Sequence, residues 1–140
     1  MADVKTETQI ETDFYRIIKS SQIPSIINGK VYRRGMRPLD SQKEDCIVQF
    51  LSGQNGQLQE GVLNMNIFVP KILIGSNTNK VEDLKRVEEL EIAIMELFTD
   101  KAFENPYYLV EVNETPQTID YADIEQTCIN TRIHYTRTTF

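Results

Sequence analysis

Val62-Leu63-Asn64-Met65-Asn66-Ile67-Phe68-Val69 decides the fold. Leu63, Met65, Ile67 and Val69 fall on one side of an extended chain, and Asn64 and Asn66 fall on the other. That period of two belongs to a strand with one buried face. Upstream, Cys46 to Leu51 is apolar except for Gln49 and reads as a second, well-buried strand. The polar stretch Ser52–Gly61 between them holds Gly53, Gly56 and Gly61, which predicts a long hairpin with a flexible tip.

Downstream the period changes. Val81, Leu84, Val87, Leu90, Ile94, Leu97 and Phe98 form one apolar stripe, so a helix is expected from about Lys80 to Ala102. Asn79 with Glu82 is cap-like, and Asn105-Pro106 marks the stop. Alternation returns in Tyr107–Val112, with Tyr108, Val110 and Val112 on one face. It returns again in Thr127–Tyr135, where Ile129, Ile133 and Tyr135 oppose Asn130, Arg132 and His134.

At the other end, Ile10, Phe14, Ile17 and Ile18 predict an amphipathic helix from about Thr8 to Ser20, with Thr8 and Glu11 at capping-box spacing. Asn28-Gly29, between Ile26-Ile27 and Val31-Tyr32, signals a tight hairpin. The expected order is therefore α-β-β-β-α-β-β. The fold class is α+β: an antiparallel sheet with a long hairpin, covered on one face by two helices. One domain spans residues 1–140, with residues 1–7 as a flexible tail.

Composition narrows the chemistry. The chain has 140 residues, a net charge of −6, and 40% hydrophobic and 26% charged residues, the balance of an ordinary folded domain. The negative charge does not favour general attraction to a phosphate backbone. Cys46 and Cys128 lie in apolar runs, which fits small buried hydrophobes and a reducing compartment. No apolar run approaches the ~20 residues of a membrane helix, and Met1–Gln9 lacks a signal-peptide core, so a soluble protein made in a cytoplasm is expected.

Reactive groups do not converge. His134 is the single histidine, on the polar face of a late strand. No Ser or Cys sits in a nucleophile elbow, and one His with two isolated Cys does not make a closed zinc site. Gly75-Ser76-Asn77-Thr78-Asn79-Lys80 lacks the second glycine and the hydroxyl of a phosphate-cradling loop, and reads as a helix cap. Asp120, Asp123 and Glu125 read as a solvated turn, without the glycine turn and ligand count of a calcium loop. No catalytic residue, metal or cofactor is expected.

Surfaces carry more. Lys30, Arg33, Arg34 and Arg37 put four cations into eight residues of an acidic chain. They read as a solvated hairpin edge, as an electrostatic partner for an acidic neighbour, or, less readily without interleaved aromatics, as a nucleic-acid contact. The predicted helix face with Glu82, Asp83, Glu88, Glu89, Glu91 and Glu96 is either solvated or the complement of those cations. In the second case a head-to-tail contact repeated by rotation closes a ring. The run from Thr127 through Arg132 and Arg137 to Phe140 is rich in strand formers, and is the last strand of its own sheet or an addition to a neighbour's. Gln54, Asn55 and Gln57 sit on the hairpin tip, a natural place for contacts.

Four segments together carry a likeness: Arg37-Pro38-Leu39-Asp40; Glu44-Asp45-Cys46-Ile47-Val48; Gln59-Glu60-Gly61-Val62-Leu63-Asn64-Met65-Asn66-Ile67-Phe68-Val69-Pro70; and the helix from Val81 to Phe98. Over about residues 8–135 the chain resembles the phage tail-terminator and head–tail joining proteins, small α+β ring subunits. The resemblance implies a virion protein, assembled in the bacterial cytoplasm into a homo-oligomeric ring, a hexamer or dodecamer. Its neighbours would be connector, portal or tail-tube proteins, with DNA met only in passage through the channel and no membrane contact. It implies no catalytic residues. The short N-terminal tail and the basic cluster depart from the family pattern. The rival expectation is a cytoplasmic adaptor that binds protein along a sheet edge.

Overall fold

The computed structural model describes residues 4–76, 78–99 and 105–139. The α+β class holds, as a six-stranded sheet with three helices. In chain order these are α1 (Glu7–Lys19), α2 (Ile23–Ile26), β1 (Val31–Arg33), β2 (Cys46–Gln54), β3 (Leu58–Pro70), α3 (Leu84–Thr99), β4 (Leu109–Glu111), β5 (Gln117–Tyr121) and β6 (Gln126–Thr138). The strands lie in the order β1-β2-β3-β6-β4, and β5 also pairs with β6, farther along it.

The β3–β6 ladder is the spine, thirteen pairs from Leu58↔Thr138 to Pro70↔Gln126. Its register puts Leu63 opposite Ile133 and Ile67 opposite Ile129, so both alternating patterns turn their apolar residues to the same side. Cys46 and Val48 of β2 extend that side. Ile10, Phe14 and Ile18 of α1 and Val87, Leu90, Ile94 and Leu97 of α3 cover it, all buried in one core. The opposite face of the sheet carries Asn64, Asn66, Asn130, Arg132 and His134, as the alternation requires.

Several expectations need correction. The capping box lies two residues earlier than predicted: Gln9 N–H donates to Thr6 Oγ1 at 3.2 Å, and Thr6 N–H donates to Gln9 Oε1 at 2.8 Å. Glu11 is drawn inward instead. It is buried and accepts the Phe50 N–H at 2.9 Å. The expected tail at 1–7 is tied down from Lys5 onward, where the backbone N–H and carbonyl bond the Gln59 side chain at 3.2 and 2.7 Å; residues 1–3 lie outside the described residues.

Asn28-Gly29 makes no hairpin. The Asn28 side chain accepts the Glu44 N–H at 2.7 Å, and Gly29 N–H donates to the Glu44 carbonyl at 3.0 Å. A Cβ on Gly29 would strike the Glu44 backbone and the Asp45 carboxylate, so close approach explains the glycine. With α2 in place of a first hairpin arm, β1 pairs parallel to β2, an exception to the all-antiparallel sheet. The flexible tip shrinks as well. Strand continues to Gln54 and resumes at Leu58, with a bulge between Phe50 and Ser52.

The main helix starts at Leu84, not Lys80, because Asp83 is its cap: the Arg86 N–H donates to Asp83 Oδ1 at 3.2 Å. Ile72 and Val81 instead exchange two backbone hydrogen bonds at 2.8 Å, closing a small loop around Gly75. The predicted end at Ala102 lies outside the described residues, and so does Asn77. β5 was not expected: Ile119 and Tyr121 alternate with Thr118 and Asp120 over too short a stretch to stand out, and all five residues are exposed. Among the described residues no helix is long and apolar enough to cross a membrane.

Candidate protein-interaction surfaces

Among the described residues three carboxylates are buried, Glu11, Glu44 and Asp45, and they claim much of the positive charge that sequence reading assigned to the surface. A buried carboxylate is costly unless paired and hydrogen-bonded. Asp45 accepts from the Ser41 hydroxyl, from Arg37 Nε at 2.9 Å and from the Lys30 N–H at 3.0 Å. Burial works against its charged form, but these donors outweigh burial and hold the carboxyl below the ordinary aspartate value. Arg37 also donates to Gln126 Oε1 at 2.9 Å and lies 4.3 Å from the centre of the Phe68 ring. It is a strut between the 34–45 loop and the sheet, so its place as a free contact residue is corrected.

Arg33 and Arg34 turn toward α1. Arg33 Nη2 donates to Thr12 Oγ1 at 2.8 Å, and Arg34 Nε stands 3.5 Å from the buried Glu11. Arg34 remains largely exposed, as does Lys30, so of the predicted cationic edge these two stay available to a partner. Glu44 is held by Arg86 from α3. The Arg86 guanidinium is pushed above its usual range, chiefly by its hydrogen bonds to Glu44.

The acidic helix face splits. Glu82 precedes α3 and accepts the Thr127 hydroxyl at 3.1 Å, and Asp83 caps the helix. Glu89 pairs with Arg86 at 3.2 Å, and Glu96 is exposed. Burial, then the neighbouring Glu88, raise the Glu91 carboxyl. At the hairpin tip Gln54, Asn55 and Gln57 are exposed, as expected of contact residues, although Asn55 Oδ1 accepts from Gln59 at 3.0 Å and the Gln57 carbonyl accepts the Thr139 N–H at 3.1 Å. Arg137 is buried and donates to Gln59 Oε1 at 3.3 Å, because β6 is an inner strand, so the structure takes its own-sheet alternative. Arg132 is exposed on the uncovered face. Phe140 lies outside the described residues.

Sequence reading missed two surfaces. Near the hairpin tip the uncovered face carries Leu58 and Glu60 on β3 and Leu109 and Glu111 on β4, all exposed. A hollow of about 520 Å³ is bordered by Gln54, Glu60, Val62, Glu111 and His134, with Leu58 and Leu109 outside its lining. His134 Nε2 is 2.8 Å from Glu114, an ion pair only when the ring is protonated. At the far end of β3, Ile72, Leu73, Ile74, Val81 and Leu84 are exposed, beside the exposed Lys80 and Lys85. The signal for this second patch was present in Ile72-Leu73-Ile74, three aliphatic residues outside any strand or helix. The outer edge of β5 faces α3 across a wider hollow of about 730 Å³, bordered by Leu84, Glu88, Glu91 and Thr118.

Lys71 Nζ lies 2.7 Å from Asp120, so the acidic turn is partly engaged, and the described residues contain no group of three or more His, Cys, Asp or Glu placed to hold a metal. Both cysteines are buried and free. Burial pushes the Cys128 thiol up to about 12 and raises Cys46 as well. No protein-family model matches the chain, and no curated protein matches it.

Proposed function

We propose that this chain is a non-catalytic virion structural protein, a ring-forming subunit at a phage head–tail interface, acting as a tail terminator or another neck ring. The observation that carries the reading is the one-sided sheet. Both long helices pack on a single face; on the opposite face Arg37 and Tyr121 cover Phe68, and the stretch with Asn64, Asn66, Asn130, Arg132 and His134 is left to partners. That face is polar but ordered, as in the 2.7 Å bond from Asn130 Nδ2 to Asn66 Oδ1 between neighbouring strands. The resemblance over residues 8–135 supplies the rest: a subunit whose work is mechanical, holding copies around a channel. Small pairwise contacts repeated around a ring gain by avidity.

Light scattering on the eluting protein, followed by electron microscopy of the peak, tests this. Rings of uniform stoichiometry support it; a stable monomer that captures short peptides replaces it with the adaptor reading. That second reading is favoured by one feature, the unpaired outer edge of β5 beside the α3 hollow, where an extended segment has room to add as a strand.

A further inference from the structure

The two patches missed by sequence reading lie at opposite ends of β3, one of two equally long strands. β3 runs thirteen residues from Leu58 at the hairpin tip to Pro70, where the Lys71–Val81 loop begins. At ~3.3 Å per residue that is roughly 43 Å of rigid ribbon between them. Both patches combine exposed aliphatic side chains with unpaired charge, acidic at the tip and mainly basic at the far end. At the tip, Leu58 and Leu109 share the uncovered face with Glu60 and Glu111, whose carboxylates have no ion-pair partner among the described residues. At the far end, Leu73 and Ile74 are 57% and 54% exposed, and Lys80 and Lys85 flank Val81 and Leu84 without an acidic partner among the described residues. Of the acids close to them in sequence, Glu82 accepts from Thr127 and Asp83 caps α3, while Glu88 is exposed.

Exposed aliphatic residues in contiguous sets mark contact surfaces. One set here flanks a hollow lined by Glu60 and Glu111, and the other lies on an exposed loop with cations. We infer that the occupant of the tip hollow is the Ile72–Ile74 loop of a second copy of this chain, with Lys80 and Lys85 facing Glu60 and Glu111. Because the two surfaces differ and sit at opposite ends, the contact is head-to-tail. Each copy keeps one unused end, and the series stops only when rotation closes it. This rests on the ring reading and names the surfaces that would make the ring.

Complementation tests it. The far-end variant Leu73→Asp/Ile74→Asp and the tip variant Leu58→Asp/Leu109→Asp alter exposed positions, so each should melt like the wild type. Each alone should be monomeric, with self-association weakened roughly a hundredfold. Mixed in equal amounts they should form a dimer and nothing larger, since one intact tip meets one intact loop. An oligomer unaffected by both variants overturns the end-to-end contact and leaves the ring reading standing. A pair of monomeric variants that fail to complement overturns the head-to-tail geometry. A wild type that stays monomeric at every concentration overturns self-docking outright. If either variant is misfolded, the charge swaps Glu60→Lys/Glu111→Lys and Lys80→Glu/Lys85→Glu replace them: each alone should be monomeric, and mixing should restore both contacts and hence the full alternating oligomer, whereas a mixture that stays monomeric overturns the contact.

Discussion

Arg86 grips Glu44 as a fork: Nε to Oε2 and Nη2 to Oε1, both 2.7 Å, with the same Nη2 reaching the Ile26 carbonyl at 2.8 Å. Glu44 is buried, so this pair ties α3 to the turn after α2 and to the entry of β2. Removing one partner strands the other. Arg86→Ala should cost about 3–5 kcal/mol by chemical denaturation. Arg86→Ala with Glu44→Leu should recover much of that loss. A single-variant loss below about 1 kcal/mol would show that solvent already screens the pair.

Asp45 makes stability depend on pH in a defined direction. Its carboxyl titrates lower in the folded chain than the ~3.9 of an unfolded aspartate, so folding favours the ionised form. That contribution is complete above the unfolded value and is lost as pH falls through the folded one. Denaturation midpoints should therefore drop as pH falls below about 4. Asp45→Asn should be less stable at neutral pH and should show a shallower acid slope. Equal slopes in variant and parent would assign the acid sensitivity to other groups.

The Tyr135 ring lies against Gly53 and Gly61, and its hydroxyl is buried without a hydrogen-bond partner among the described residues. Deleting an unsatisfied polar atom removes a desolvation cost. Tyr135→Phe should melt at the same temperature or higher. Gly61→Ala should destabilise by more than about 1 kcal/mol, because the new Cβ meets both the Ser52 carbonyl and the Tyr135 ring. Thermal scans of the two variants check both.

Cys46 and Cys128 should resist alkylation in the native protein. Their thiols are buried and titrate upward, so thiolate is scarce and access requires opening. Labelling by a maleimide at pH 7 should be roughly a thousandfold slower than in denaturant. Fast native labelling at either position would place an opening motion at that strand.

What sequence revealed and what it hid divide along one physical line. Leu63, Met65 and Ile67 announce a half-buried strand because water and core alternate along them, and Phe14 and Leu90 announce helix stripes for the same reason. Burial of a charged residue leaves no such trace. Nothing in the sequence marks Glu11, Glu44 and Asp45 as buried, and so nothing marks Arg37 and Arg86 as their partners. β5 was hidden for the opposite reason, since no residue of it is buried. Asn28-Gly29 carried a strong local signal that tertiary bonds to Glu44 overrode. Exposure of the candidate contact residues followed the same rule. That tip polars such as Gln54 are exposed was legible, whereas the burial of Arg137 was not, because its strand lies inside the sheet.

The β3–β6 spine also fixes when the molecule can take shape. Pro70 waits for Gln126, and Leu58 waits for Thr138. As the chain leaves the ribosome, the β2–β3 hairpin emerges long before the strand that completes it, with one backbone edge unzipped and an apolar side unprotected. Final closure is therefore a late event, slowed by the long loop it must draw together. In that interval premature pairing between nascent chains competes with folding, so yield in a host cell should respond to synthesis rate and chaperone supply more than to the finished fold's stability.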